Sequence, residues 1–112
     1  MTAITSHVLD TSIGKPIAGL SVRLLRIDTD GGVPLGQGVT DADGRVKQLL
    51  GSTALVAGVY RLTFETGEHY RRVGCEAFYE RVELEFRVVD PRQHFHVPLL
   101  LSPFGYSTYR GS

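Results

Sequence analysis

The sequence predicts an all-β protein, a sandwich of seven or eight short strands, and three observations carry that reading. Apolar and polar residues alternate with period two, most clearly where Val82, Leu84, Phe86 and Val88 oppose Glu83, Glu85 and Arg87. Turn-rich stretches at 13–16, 28–32 and 41–44 punctuate the alternating runs, and four of the 13 glycines fall within them. Only one segment has helical character, and it is short.

The elements follow in chain order. The first strand spans Ile4–Asp10, with Ile4 and Val8 on one face and Thr5, His7 and Leu9 on the other. Strands over Leu20–Asp28 and Leu35–Thr40 come next, separated by the turn Asp28-Thr-Asp-Gly-Gly32. Tyr60, Leu62 and Phe64 then alternate with Arg61, Thr63 and Glu65. Thr66 is placed to cap a helical turn or two running from Glu68 to Arg72 and ending at Gly74. Val82–Val88 is the next strand. In Phe95–Leu101 the residues Phe95, Val97, Leu99 and Leu101 form a core face, which leaves His94, His96, Pro98 and Leu100 on the other. A face bearing Pro98 and Leu100 is a poor match for bulk water. A subunit interface lined partly by His96 is the economical explanation, and the first strand offers a similar face with His7.

Composition narrows the function classes. Twelve basic residues balance twelve acidic ones, so no electrostatic footprint for nucleic acid or an anionic membrane exists. At 112 residues the chain reads as one domain spanning 1–112. Cys75 is the only cysteine, so no disulfide can form within the chain, and Cys75 reads as a small buried or half-buried hydrophobe. No secretory leader pattern and no long apolar run are present, which points to the cytoplasm.

Chemistry concentrates near the C-terminus. His94 and His96 project to one side of a strand, about 6.6 Å apart. With His7 they offer either a three-histidine metal site or metal-free acid–base work, since imidazole titrates near neutrality. Histidine pairs on strands are more often hydrogen-bonded or solvated than metal-bound, and no carboxylate or cysteine stands at ligand spacing, which weighs against the metal. Arg45, directly after the Asp41-Ala-Asp-Gly44 turn, has the rigid fork to hold a planar anionic or carbonyl-bearing ligand. Tyr106 and Tyr109 read as half-buried packing, and His69 as structural or solvated. Spacing alone leaves these readings open.

Three segments together resemble the 5-hydroxyisourate hydrolases, the transthyretin-like enzymes of purine catabolism. They are Ser6-His-Val-Leu-Asp10 with Gly14-Lys-Pro16, Thr40-Asp-Ala-Asp-Gly-Arg45, and His94-Phe-His-Val-Pro-Leu-Leu-Leu-Ser-Pro103 continuing to Tyr109-Arg-Gly-Ser112. The resemblance implies a transthyretin-like (prealbumin-like) sandwich of two four-stranded sheets with one short helix. It also implies a homotetramer whose active sites lie at the dimer–dimer interface. It places catalytic roles on His7, Arg45, His96 and Ser112, and substrate contacts on His7, Arg45, Tyr109 and Arg110, without metal or cofactor. His94 is not carried over. The implied reaction opens the six-membered ring of 5-hydroxyisourate by hydrolysing a ring amide. A transthyretin-like carrier, binding a small aromatic ligand in the same channel, is the alternative. One departure stands out: Glu80-Arg81 replaces the family's usual Pro-Glu, which puts the local turn in question.

Overall fold

A computed structural model describes residues 3–112. Two sheets face each other. One has the order β2-β1-β8-β9, built from β1 (Ile4–Asp10), β2 (Lys15–Pro16), β8 (Phe95–Ser102) and β9 (Gly105–Thr108). The two-residue β5 (Arg45–Val46) adds to it by pairing with β1, so this sheet has five members where four were expected. The other sheet has the order β4-β3-β6-β7, from β3 (Ser21–Asp28), β4 (Gly31–Val39), β6 (Gly58–Phe64) and β7 (Val82–Val88). The β3–β4 hairpin closes sooner than the glycine run suggested, because Gly31 and Gly32 already pair with Asp28 and Ile27.

The alternation places the core between the sheets. Val22, Leu24, Leu62, Phe64 and Val88 meet Ile4, Val8, Phe95, Leu99 and Leu101, all of them buried. Each such side chain contributes about 1.5–3 kcal/mol relative to exposure. Two polar side chains on the inner face of β1 are satisfied in place. Ser6 Oγ donates to the Val97 carbonyl oxygen at 2.7 Å. Asp10 accepts from Ser12 N, from Ser12 Oγ and from the Tyr70 hydroxyl at 3.0 Å, which ties the helix to the first strand.

That helix, α1, spans Thr66–Arg72 and ends at Gly74, whose φ of 72° is the left-handed conformation that glycine accepts freely. The capping expectation fails at its start. Glu65, not Thr66, occupies the N-cap position and makes no side-chain cap bond, and Thr66 Oγ1 is buried without a partner among the described residues. The Glu65 carboxylate is drawn instead to Arg23 at 2.8 Å and Arg81 at 3.4 Å. An early helical N–H is satisfied from outside, by Gly67 N donating to the Glu80 carbonyl oxygen at 2.8 Å. The unusual Glu80-Arg81 pair therefore has a role. Glu80 binds Arg71 through two bonds of 2.8 and 3.1 Å, and Arg81 reaches Glu65, so both residues brace the helix.

Candidate active site

The parallel β1–β8 pairing decides the site. It sets Ile4, Ser6 and Val8 beside Phe95, Val97 and Leu99 on the inner face, and hence Thr5 beside His96 and His7 beside Pro98 on the outer one. β5 then brings Arg45 directly across from His7. His7, Arg45 and His96, far apart in sequence, thus share one outer sheet face.

The Asp41–Gly44 turn sets Arg45. Asp41 Oδ1 accepts from Asp43 N at 2.9 Å and from Arg45 N at 3.0 Å, and Val8 N donates to the Gly44 carbonyl oxygen at 2.8 Å. Gly44 has a φ of 77°, and a Cβ there would stand 2.5 Å from the Val8 carbonyl oxygen, so glycine is required on both counts. The same turn receives His7, whose Nε2 lies 2.8 Å from the Asp43 carbonyl oxygen. A carbonyl only accepts, so His7 Nε2 carries a proton.

His96 is held by other means. Its Nδ1 lies 2.8 Å from Thr5 Oγ1, and the same hydroxyl lies 3.1 Å from His94 Nε2. The two imidazoles lie nearly parallel, 6.5 Å apart. Burial pushes the His96 pKa down, and Arg45, His7 and His94 push it further the same way. Both effects favour the neutral imidazole.

The tail divides. Gly111 N donates to the His96 carbonyl oxygen at 2.8 Å, and Ser112 lines a depression of about 280 Å³ with Thr5, Arg45, Lys47, His94 and His96. Arg110 turns elsewhere. Its guanidinium lies 4.6 Å from the centre of the Phe95 ring and bonds to Gln93 Oε1 at 3.1 Å. Arg110 and Tyr109 line a second groove with Glu83 and Phe86 of β7, and Tyr109 is 58% exposed. Within one chain, then, Arg45, His96 and Ser112 converge and His7 faces Arg45, whereas Tyr109 and Arg110 stand apart. Pro98, expected to need a subunit interface, is buried in the chain itself under Gly111, while Leu100 stays half-buried. Among the described residues no three His, Cys, Asp or Glu side chains group as a metal ion requires. Thr5 was missed in the sequence because threonine is an ordinary strand residue, and its partners stand about ninety positions away.

A two-sheet sandwich with one short helix and a polar, histidine-bearing outer face defines a transthyretin-type architecture. The chain belongs to the HIUase/Transthyretin family, which matches residues 4–111. It is 45% identical over 116 residues to the 5-hydroxyisourate hydrolase of Caulobacter vibrioides, with all of both chains covered. The structure of Klebsiella pneumoniae 5-hydroxyisourate hydrolase superposes with a TM-score of 0.88 at 40% identity, again covering all of both chains. Transthyretin from Sparus aurata superposes with a TM-score of 0.91 at 31% identity, covering 99% of this chain and 97% of that one. The backbone thus fits a transthyretin and a 5-hydroxyisourate hydrolase about equally well. The side chains must decide.

Proposed function

We propose that this protein hydrolyses 5-hydroxyisourate to 2-oxo-4-hydroxy-4-carboxy-5-ureidoimidazoline, a step of urate degradation. The observation that carries the reading is the placement of His7, Arg45 and His96 on one sheet face, in a chain that matches hydrolases from end to end. A passive hydrophobic channel has no use for two histidines and an arginine, and this weighs against the carrier.

The chemistry needs no metal or organic cofactor. Water held between His7 and His96 loses a proton to an imidazole as its oxygen bonds to the ring amide carbonyl. The carbonyl oxygen gains charge that the Arg45 guanidinium stabilises. Collapse of the tetrahedral intermediate breaks the ring C–N bond, the nitrogen takes the proton, and the new carboxyl group ionises. Arg45 is suited to this because, among the described residues, its guanidinium makes no ion pair that would spend its charge.

Residues 1–112 act as one hydrolase domain, assembled as a homotetramer. In that assembly the outer face carrying His7 and His96 meets its counterpart on another copy, covering Leu100 and closing the depression into a channel. Tyr109 and Arg110 contribute substrate contacts there, both being exposed and so available across an interface. Cys75 makes no disulfide, which fits a cytoplasmic setting. Among the described residues no helix is long and apolar enough to cross a membrane.

The test is direct. 5-Hydroxyisourate is generated in situ from urate and its ultraviolet decay followed with and without protein. Acceleration over the spontaneous decay is expected, and its absence would exclude the enzyme in favour of the carrier.

A further inference from the structure

The two histidines of the site are anchored by chemically different partners. His7 gives its Nε2 proton to a carbonyl, which fixes the direction of that bond. His96 meets a hydroxyl, which can both give and accept. Thr5 Oγ1 is shared between His96 Nδ1 and His94 Nε2, and Thr5 is buried on the strand beside His96. A hydroxyl has one proton, so only one of the two imidazole nitrogens can receive it. The other side of the His96 ring is occupied too. A Cβ added at Gly111 would lie 2.6 Å from His96 Cδ2, so the tail backbone runs against that carbon. With Nδ1 on Thr5 and Cδ2 under the tail, Nε2 is the nitrogen left for chemistry.

Resting on the hydrolase reading above, we infer that Thr5 is a positioning residue: it accepts the Nδ1–H of His96 and donates its own proton to His94 Nε2, so that His96 offers an unprotonated Nε2 to water. The opposite bond direction would place the His96 proton on Nε2, where the base must be empty. In the inferred direction nothing has to rotate during the reaction. The proton from water joins Nε2, the imidazolium keeps its Nδ1–H on Thr5, and the same proton later leaves with the ring nitrogen. Thr5 thus does for His96 what a carboxylate does in many hydrolases, but without a charge. The titratable side chains facing His96 are His7 on β1, Arg45 and Lys47 on and after β5, and His94 just before β8, all four basic, and the backbone end at Ser112 adds a carboxylate to the same depression. A carboxylate in the place of Thr5 would draw Arg45 away from the carbonyl it serves. His94, given no role by the resemblance, becomes the acceptor of the Thr5 proton.

The experiment compares Thr5→Val, which keeps the shape and removes the hydroxyl, with Thr5→Ser, which keeps the hydroxyl. Turnover of in situ 5-hydroxyisourate is measured across pH, and the His96 ring nitrogens are observed by ¹⁵N NMR in the intact protein. In Thr5→Val kcat is expected to fall about 10- to 100-fold with KM changed by less than about threefold, and Thr5→Ser to recover most of the rate. The acid limb should move to lower pH in Thr5→Val, because the imidazolium loses its hydrogen-bond acceptor. In the unaltered protein near pH 8 the His96 proton should reside on Nδ1. A proton on Nε2 there, or wild-type kcat in Thr5→Val, overturns the inference. Should Thr5→Val not fold, the tautomer in the unaltered protein decides alone. Should no form of the protein hydrolyse the substrate, the activity reading fails, and the tautomer still decides the role of Thr5.

Discussion

The two sheets of this sandwich turn contrasting faces outward. On the β4-β3-β6-β7 sheet the outer face is a lattice of opposite charges: Arg61 pairs with Glu85 across the β6–β7 ladder, and Arg23 reaches Glu65. On the β2-β1-β8-β9 sheet it carries Thr5, His7, His96, Pro98 and Arg45, with basic groups and no neutralising carboxylate among the described ion pairs. Both faces follow the same strand alternation. They differ in how the polar groups are satisfied. The charged face settles its demands with side-chain ion pairs, of which Arg61–Glu85 is open to water. The histidine face uses a buried hydroxyl, a backbone carbonyl and the returning tail, and among the described residues it leaves Arg45 without an ion pair. The lesson is that a site is marked less by how polar a surface is than by polar groups anchored on one side and left open on the other.

Substitutions on the two faces should therefore behave very differently. The largest effect is expected at His7→Asn or His96→Asn, where turnover should fall at least about 100-fold with circular dichroism and oligomeric state unchanged. Near-wild-type rates in either variant would remove it from the mechanism. Gly111→Ala comes next. Its Cβ must displace the His96 ring or the tail, and a shift of about 1 Å in a catalytic group can cost on the order of 100-fold. A crystal structure of the variant with His96 unmoved and full activity would deny the clamp. Tyr70→Phe tests the buried junction between α1 and β1 and should leave kcat alone. Losing the hydroxyl that donates to Asp10 should lower stability by about 1–2 kcal/mol in urea titrations. The smallest effect belongs to Glu85→Gln on the charged face, where the ion pair is exposed and the thermal midpoint should barely move.

Acid sharpens the same contrast. The folded protein holds His96 below its ordinary value of 6.5, through burial first and then through Arg45, His7 and His94. The unfolded chain protonates His96 before the folded one does. Falling pH therefore costs stability from about 6.5 downward until the folded imidazole also titrates. Asp10 acts in a lower window. Burial pushes its carboxyl up, but bonds from Ser12 and Tyr70 outweigh burial and leave it below 3.8. Its contribution is complete above 3.8 and is lost as pH falls through the folded value. Unfolding midpoints of His96→Asn and Tyr70→Phe against pH should each flatten in its own window.

Much of this was legible in the chain. The period-two runs at 82–88 and 95–101 give the inward faces correctly, because a pleated strand must alternate whatever its neighbours are. The Asp41–Gly44 turn is equally local, since Asp41 caps its own backbone and Gly44 adopts a conformation suited to glycine. The helix start was misread for the opposite reason. Thr66 has the right chemistry for a cap, but the early helical N–H is met by Glu80, a residue thirteen positions on. Nor did sequence separate the halves of the tail, where Ser112 stays with His96 while Arg110 lies over Phe95.

Sequence by itself determined which residues face inward, where the chain turns, and which side chains resemble those of a hydrolase. Those properties depend on pleat, backbone conformation and side-chain chemistry, all set within a few residues. Only the tertiary structure decided that Thr5 stands between His94 and His96, that Arg45 faces His7, and that the tail backbone rests on the His96 ring. Each of these depends on the β1–β8 and β1–β5 pairings, which join segments tens of residues apart. No local preference encodes such a register, because the packing of both sheets selects it at once.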